Sequence, residues 1–416
     1  MQGGFMGMEV FITGIGAVSP IGMTARESFS AALAGKSGIS APEQFSSEVT
    51  QIFAAGQVKD FTPEPYINKR EAKRMARFTQ MAIVAAAQAW EEAGFRPEDY
   101  DPERVGVVLG SGMGGLDVIC EQYAELVNNG PRSVSSFFIP KSIINTTAGL
   151  IAIRYGLNGP CYSVVTACAS GADAIGQAYY AVREGRADAM LVGGAEAVLI
   201  ELAVQGFHQM GALSESTDVA RASIPFDKDR DGFVIGEGAA FLLLESEASV
   251  KRRGAKPIGT LAGYAQTCDA HHITAPHPEG KQTIRAMAEA MKDAGITKEQ
   301  VGYINAHGTS TPLNDAAESA AIEACFGDYA SQLKVSSTKS MTGHMLGAAG
   351  AFEAVISLLA LNEGMAPPTI GLETEDEVCR LNYVKGKAQT LDSEYALSNS
   401  LGFGGHNSCL VLKRGR

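Results

Sequence analysis

The sequence is short of basic charge, of paired cysteines and of long uninterrupted apolar runs, and each shortage removes a class of function. Its 34 Lys and Arg face 46 Asp and Glu, a formal net charge of −12. A general nucleic-acid binder carries basic excess over its surface, so no nucleic-acid partner is expected. The seven cysteines, Cys120, Cys161, Cys168, Cys268, Cys325, Cys379 and Cys409, are scattered, odd in number and include no CxxC pair. That pattern supports neither a disulfide framework nor a zinc site, and no metal is expected. No Lys or Arg precedes Arg26, so neither a charged secretory n-region nor an Arg-rich transit peptide is recognisable, and residues 1–7 read as a loose leader. No apolar run reaches about 18 residues, the length a membrane-spanning helix needs. The expectation is a protein of a reducing, cytoplasmic compartment without a membrane partner.

What is present is a large apolar chain. Hydrophobic residues make up 45% of the 416 and charged ones 19%, the balance of a globular protein long enough for two or three domain-sized units. Its most telling stretch is Tyr162 to Ala178, YSVVTACASGADAIGQA. Tyr162, Val164 and Val165 favour a buried strand, and Ala172, Ile175 and Ala178 recur at helical spacing. Cys168 falls at the join, among small neighbours that leave a carbonyl room to approach its sulfur. First-turn N–H groups and the helix dipole there favour a thiolate and predict a lowered pKa.

Along the chain, Val10–Gly16 (VFITGIG) reads as a strand ending in a glycine turn, but Ser19 occupies the third glycine position of a dinucleotide fingerprint. Val105–Gly115 contains GSGMGG, a formal GxGxxG match with Ser135 where an acidic residue is needed, so a pocket-lining turn with Met113 as an apolar wall is preferred. Arg70, Lys73, Arg74 and Arg77 recur at i, i+3, i+4 and i+7, one basic helix face in an acidic chain and a docking site for something acidic. ADAMLVGGAEAV reads as a buried strand with a Gly-Gly turn. DKDRDG from Asp227 has Gly238 where a calcium loop needs its bidentate Glu, and so is read as a turn. Lys251–Lys256 reads as a surface linker. Beyond it the plan repeats: VGYINAHGT resembles VGVVLGSGM, and SCLVL resembles AFLLL. Two related βα units are expected, residues 8–255 with the cysteine and residues 256–416 with the motifs that follow.

His307 lies in NAHGTSTPLND at a strand end, where α/β folds place chemistry, and His344 lies in SSTKSMTGHMLGAAGAFEAV, with Lys339 before it and Glu353 after. A cysteine and two histidines suggest acyl transfer. A thiolate takes an acyl group from a thioester, and two neutral imidazoles donate N–H bonds to the enolate oxygen of a second, carboxylated thioester as it loses carbon dioxide. Lys339 orients a histidine and balances Glu318 and Glu353. LGFGGHNS places Phe403 in a glycine turn whose N–H completes an oxyanion hole and whose ring gates the thiol.

Together TACASG, NAHGTSTPLND, STKSMTGHMLGAAG and NSLGFGGHN resemble the β-ketoacyl-acyl carrier protein synthases of the thiolase-like superfamily, the elongating type II enzymes above all, over about Val10 to Leu412. The resemblance implies an α/β, duplicated αβαβα five-layered fold with mixed five-stranded sheets, and a homodimer. It implies decarboxylative condensation of malonyl-carrier protein with a chain held on Cys168, no bound cofactor, and substrates carried on the phosphopantetheine of acyl carrier protein. His307 and His344 would stabilise the enolate, with Lys339 in a network with Asp315, Glu318 and Glu353. Met113, Phe207, Phe233, His272, Thr274, Thr309 and Thr311 match substrate-binding positions, and Arg70, Lys73, Arg74 and Arg132 match the carrier-protein docking patch. Ile224, Ser133, Ala275 and His406 depart from the family pattern. The rival readings are an aromatic-polyketide or aryl-polyene ketosynthase, a thiolase with Cys409 as second cysteine, and a silent partner subunit, which would lack the nucleophile.

Overall fold

The computed structural model describes residues 8–415, so the 1–7 leader lies outside the described residues. Ten strands share one sheet: β1 (Val10–Val18), β2 (Val105–Gly110), β3 (Cys161–Val164), β4 (Ala189–Glu196), β5 (Gly238–Ser246), β6 (Gly259–Cys268), β7 (Val301–Asn305), β8 (Lys334–Ser336), β9 (Tyr395–Gly402) and β10 (His406–Arg414). Their order is β8-β7-β9-β10-β6-β1-β5-β4-β2-β3. Counted within each half of the chain, both halves read third, second, fourth, fifth, first. The second strand is parallel to the third and fourth, and the fifth is antiparallel to the fourth and first, in both. The plan is therefore duplicated. The two five-stranded halves are stitched into one ladder by three antiparallel pairs, Val10↔Leu261, Phe11↔Thr260 and Ile12↔Gly259.

The principal helices are α1 (Arg77–Ala93), α2 (Leu116–Asn129), α3 (Ser170–Arg183), α4 (Glu201–Gln209), α5 (Lys281–Asp293), α6 (Pro312–Phe326) and α7 (Ala349–Glu363). Helices α3 and α7 form the middle layer: Ala172, Ile175, Ala178, Phe352 and Val355 pack with Ile12, Leu242, Leu261 and Leu410 from both half-sheets. Helix α1 covers one outer face through Phe78, Met81 and Ala85. Helices α5 and α6 cover the other through Met287, Ile322 and Phe326. The result is five layers, with apolar surface on both faces of each half-sheet removed from water. The stretch Leu346–Glu363 is apolar and long enough by composition to cross a membrane, but 89% of it is buried in this middle layer.

Several local expectations change. Gly14 and Gly16 lie inside β1, because a Cβ there would come within 1.9 Å of the Ala89 carbonyl oxygen and 2.1 Å of that of Ala85, both on α1. Gly193 and Gly194 likewise belong to β4 instead of a turn. Strand β3 is one of the sheet's two edge strands and is not buried: Tyr162 is 37% exposed, and Val165, just after it, 56%. The basic face is broken. A short helix, Lys69–Ala72, stops before α1, and Arg77 turns inward to the buried carboxylate of Glu237, 2.8 Å away. Lys251–Lys256 is partly the end of a helix, Glu247–Arg253, whose Arg253 is drawn in by Glu245. DKDRDG is a structural lock, with Asp227 accepting from the N–H groups of Asp229, Glu373 and Thr374 and from Arg221.

Candidate active site

The candidate nucleophile, Cys168, sits on an elbow. After β3 the chain turns through Ala167, a non-glycine residue at φ 50, into a 3-10 turn (Ala167–Ala169) that feeds α3. The Ser170 hydroxyl holds the bend, donating to the Ala167 carbonyl at 2.6 Å and accepting from Thr166 N–H at 2.9 Å. A bulky side chain in this left-handed conformation is strained, and Ala is among the smaller residues able to take it. Cys168 is thereby held at the apex, its backbone N–H directed at its own sulfur together with that of Phe403.

Phe403 comes from the β9–β10 turn, which reaches the elbow only because its neighbour is glycine. A Cβ on Gly402 would lie 2.7 Å from the Thr166 carbonyl oxygen and 3.2 Å from the Cys168 nitrogen. The two N–H groups are thus gathered where an oxyanion would form. The expected thiolate is not the resting form. Burial pushes the Cys168 thiol up to about 12, against the pull of Lys339 and of the two N–H groups. At an enclosed site desolvation outweighs the helix terminus.

Opposite the thiol stand the histidines. His307 follows β7, its backbone fixed by Glu318, whose two oxygens accept from the N–H groups of His307 and Gly308 at 2.8 Å each. His344 is stitched to residues 234–236: its N–H donates to Val234 O at 2.7 Å, and its carbonyl accepts from Gly236 N–H at 2.8 Å. The rings meet edge to face with centroids 5.2 Å apart, and Phe233 packs on His344 at 5.3 Å. Both are held well below the usual histidine range, by burial first and then by Lys339, so both are neutral. Each lines the cavity and each Nδ1 is shielded from it, which leaves Nε2 as the outward nitrogen.

Lys339 is buried and ion-paired with Glu353, which burial pushes up to about 7 despite the ammonium. The expected carboxylate network is divided. Glu353 meets Lys339 directly and Glu318 holds the His307 backbone. Asp315 faces Arg230, 3.7 Å away, and accepts from the N–H groups of Phe226 and Ser310.

A cavity of about 340 Å³ brings together Cys168, His307, His344, Phe207, Phe233 and Phe403, with Thr274, Thr309 and Thr311 toward its mouth. The hydroxyls of Thr309 and Thr311 are 2.9 Å apart. Met113 lies behind this group, packed in the same apolar cluster as Cys168 and Phe207. His272 does not reach the cavity; it is exposed, and its Nδ1 accepts from the N–H groups of Thr274 and Ala275, shaping the loop. Arg70, Lys73, Arg74 and Arg132 are exposed away from the cavity lining, with Arg74 stacked over Phe137 at 4.9 Å. Cys409 is buried in β10 and lines no part of the site, which removes the basis of the two-cysteine reading. Two residues escaped the sequence reading. Asp269 ties the loop before Thr274 to Asn407 at 2.8 Å. Glu196, the last residue of β4, is fully buried among backbone donors. A lone acid closing the apolar run AMLVGGAE was the available signal.

Residues 8–249 match the family described as "Beta-ketoacyl synthase, N-terminal domain", and residues 258–373 match "Beta-ketoacyl synthase, C-terminal domain". The chain is 48% identical over 406 residues to "3-oxoacyl-[acyl-carrier-protein] synthase 2" of Staphylococcus aureus, covering 98% of each chain. It is 47% identical over 407 residues to the protein of the same name from Synechocystis sp., again covering 98% of each. Among solved structures it is similar to a beta-ketoacyl synthase from Burkholderia phymatum (TM-score 0.90, 33% identity, 98% of this chain and 100% of that one). It is also similar to a type II PKS acyl-carrier protein in complex with its ketosynthase bound to the hexaketide (TM-score 0.89, 35% identity, 98% and 100%). With both halves matched and relatives alike over nearly their full length, the chain belongs to the β-ketoacyl synthase family.

Proposed function

We propose that this chain is an elongating 3-oxoacyl-[acyl-carrier-protein] synthase that condenses malonyl-carrier protein with an acyl chain held on Cys168. The observation that carries the reading is one cavity whose lining brings a thiol, flanked by the N–H groups of Cys168 and Phe403, together with two neutral imidazoles.

In the first half-reaction the Cys168 sulfur attacks the thioester carbonyl of an acyl-carrier protein. The oxyanion is held by the N–H groups of Cys168 and Phe403, the carbon–sulfur bond to pantetheine breaks, and the carrier thiol leaves with the proton that Cys168 gives up. In the second, malonyl-carrier protein loses carbon dioxide. The electron pair of the broken bond becomes an enolate, whose oxygen accepts N–H bonds from His307 and His344. The enolate carbon attacks the acyl carbonyl on Cys168, the Cys168 sulfur departs and regains a proton from solvent, and a β-ketoacyl-carrier two carbons longer is released. Neutral histidines fit this role because each keeps an N–H toward the developing charge. Burial, and after it the field of Lys339, holds them in that state.

Thr309 and Thr311 hold the pantetheine arm in the mouth, Phe207 and Phe233 line the entrance, and Met113 closes the acyl end. Arg70, Lys73, Arg74 and Arg132 receive the acidic carrier protein. The enzyme works as a homodimer through the edge strand β3, which pairs with β2 on one side only and is partly apolar and exposed, the kind of edge other chains cover. All seven cysteines are free, which suits a reducing cytoplasm. Identity of 47–48% to curated fatty-acid enzymes, against 35% and 34% to the polyketide-type ketosynthases, supports fatty-acid elongation over a polyketide role.

The test is intact-mass analysis after exposure to acyl-carrier proteins, followed by malonyl-carrier protein. Acylation confined to Cys168 and release of a product two carbons longer is expected. Labelling of a Cys168→Ala variant, or release of unextended acid, would overturn the reading.

A further inference from the structure

One carboxylate with no cationic partner among the described residues lies behind the candidate active site. Glu196 is fully buried, and its oxygens accept five hydrogen bonds: Oε1 from the Ser111 hydroxyl (2.9 Å) and the N–H groups of Met113 (3.0 Å) and Gly114 (3.1 Å), and Oε2 from the N–H groups of Gly112 (2.7 Å) and Gly347 (3.1 Å). Burial pushes the Glu196 carboxyl up, against the pull of the Gly112, Met113 and Gly347 N–H groups and the Ser111 hydroxyl; the form that matches five donors is the acceptor-only carboxylate. Those donors belong to two segments remote in sequence: the turn that carries Met113, and the turn that follows His344.

The second turn is the duplicate of the nucleophile elbow. Leu346, at φ 47, opens a 3-10 turn (Leu346–Ala348) that feeds α7, as Ala167, at φ 50, opens the turn that feeds α3. By this correspondence Gly347 stands where Cys168 stands in the other copy, and its N–H is the counterpart of the Cys168 oxyanion donor. Strand β4 ends at Glu196 as β9 ends at Gly402, so the carboxylate approaches the second elbow from the side on which the Phe403 turn approaches the first. The duplicate anion hole is permanently filled by a side chain.

We infer that Glu196 is a positioning residue that locks the Met113 turn and the His344–Gly347 turn together behind Cys168, and so fixes the acyl end of the site. The inference rests on the proposed function for the role of Met113. The lock itself does not: it stands on the five hydrogen bonds, and a charged Glu196 in addition opposes Lys339 in setting the proton affinity of Cys168.

Two variants test it. Glu196→Gln keeps the shape but removes the charge and turns an amide donor against two of the N–H groups. Alkylation of Cys168 by iodoacetamide, which needs no substrate turnover, should then be severalfold faster at a given pH, its profile displaced to lower pH. An unshifted profile in the folded variant would overturn the inference. Ser111→Ala removes one donor while leaving the charge, and decides the question if the first variant does not fold. It should slow acylation of Cys168 by dodecanoyl-carrier protein relative to butanoyl-carrier protein by roughly threefold or more, with iodoacetamide alkylation unchanged. An unaltered ratio would refute the lock. Altered alkylation without any acylation of the unmodified chain would refute the proposed function and leave the charge relationship standing.

Discussion

His307 and His344 come from different turns of the second half, yet their rings meet nearly at right angles, 86°, with centroids 5.2 Å apart. That contact places two proton donors on one side of the cavity and the thiol on the other. Replacing either histidine by Ala should cut malonyl-carrier decarboxylation by about 10²–10³-fold, the usual cost of one oxyanion-type donor. Acyl loading of Cys168 should fall much less. Separate assays of carbon dioxide release and acyl-enzyme formation decide this, and equal losses would contradict the division of labour.

The same burial predicts acid sensitivity. Both histidines bind protons less readily in the folded state than in the unfolded chain, whose histidines titrate near the ordinary value of about 6.5. Their contribution to stability is therefore complete above that pH. It is lost as pH falls below it, by up to about 1.4 kcal/mol per histidine per pH unit. Urea unfolding at stepwise lower pH should show this slope, and it should shrink in a His307→Gln, His344→Gln double variant that still folds.

With its thiol pushed up to about 12, resting Cys168 is almost wholly protonated at neutral pH. Iodoacetamide alkylation should rise about tenfold for each pH unit between roughly 7 and 9, without a plateau. A plateau near neutrality would indicate a preformed thiolate.

Charge reversal at Arg70 and Lys73 should raise KM for acyl-carrier protein by about tenfold at low salt, with the effect fading as ionic strength rises. A free acyl-pantetheine substrate should show no change. Arg77→Glu is expected to differ in kind and to destabilise the fold, because Arg77 is committed to buried Glu237.

Gly402→Ala should lower acylation by about 10²-fold and also destabilise the fold by about 1–3 kcal/mol, since its methyl group would press on the backbone of the Cys168 elbow and move the Phe403 N–H away. Unfolding and acylation rates measured on the same preparation separate the two effects.

The chemistry was more legible than the packing. Cys168, His307, Lys339 and His344 stand at strand or helix ends with small neighbours, and such placement shows in local pattern. Gly14 and Gly193 read as turns because a strand glycine whose hydrogen faces another backbone leaves the same local signal as a turn glycine. The basic helix face was misread for a related reason. Spacing puts Arg77 in line with Arg70, but the pull of Glu237, 160 residues away, lies outside any local window. Glu196 was missed because its five donors come from two loops that only the tertiary fold brings together. The same long-range burial makes Cys168 a thiol, where its position before a helix suggested a thiolate.

The three-pair seam between β1 and β6 has a thermodynamic corollary. The proposed nucleophile Cys168 belongs to the first half of the chain, and the histidines and Phe403 to the second, so the proposed catalytic group exists only while the halves stay in register. Partial melting at that boundary should abolish carbon–carbon bond formation while each half still gives native-like far-ultraviolet circular dichroism. Residual turnover therefore gauges interhalf registry, and it should fail at a lower denaturant concentration than secondary structure does.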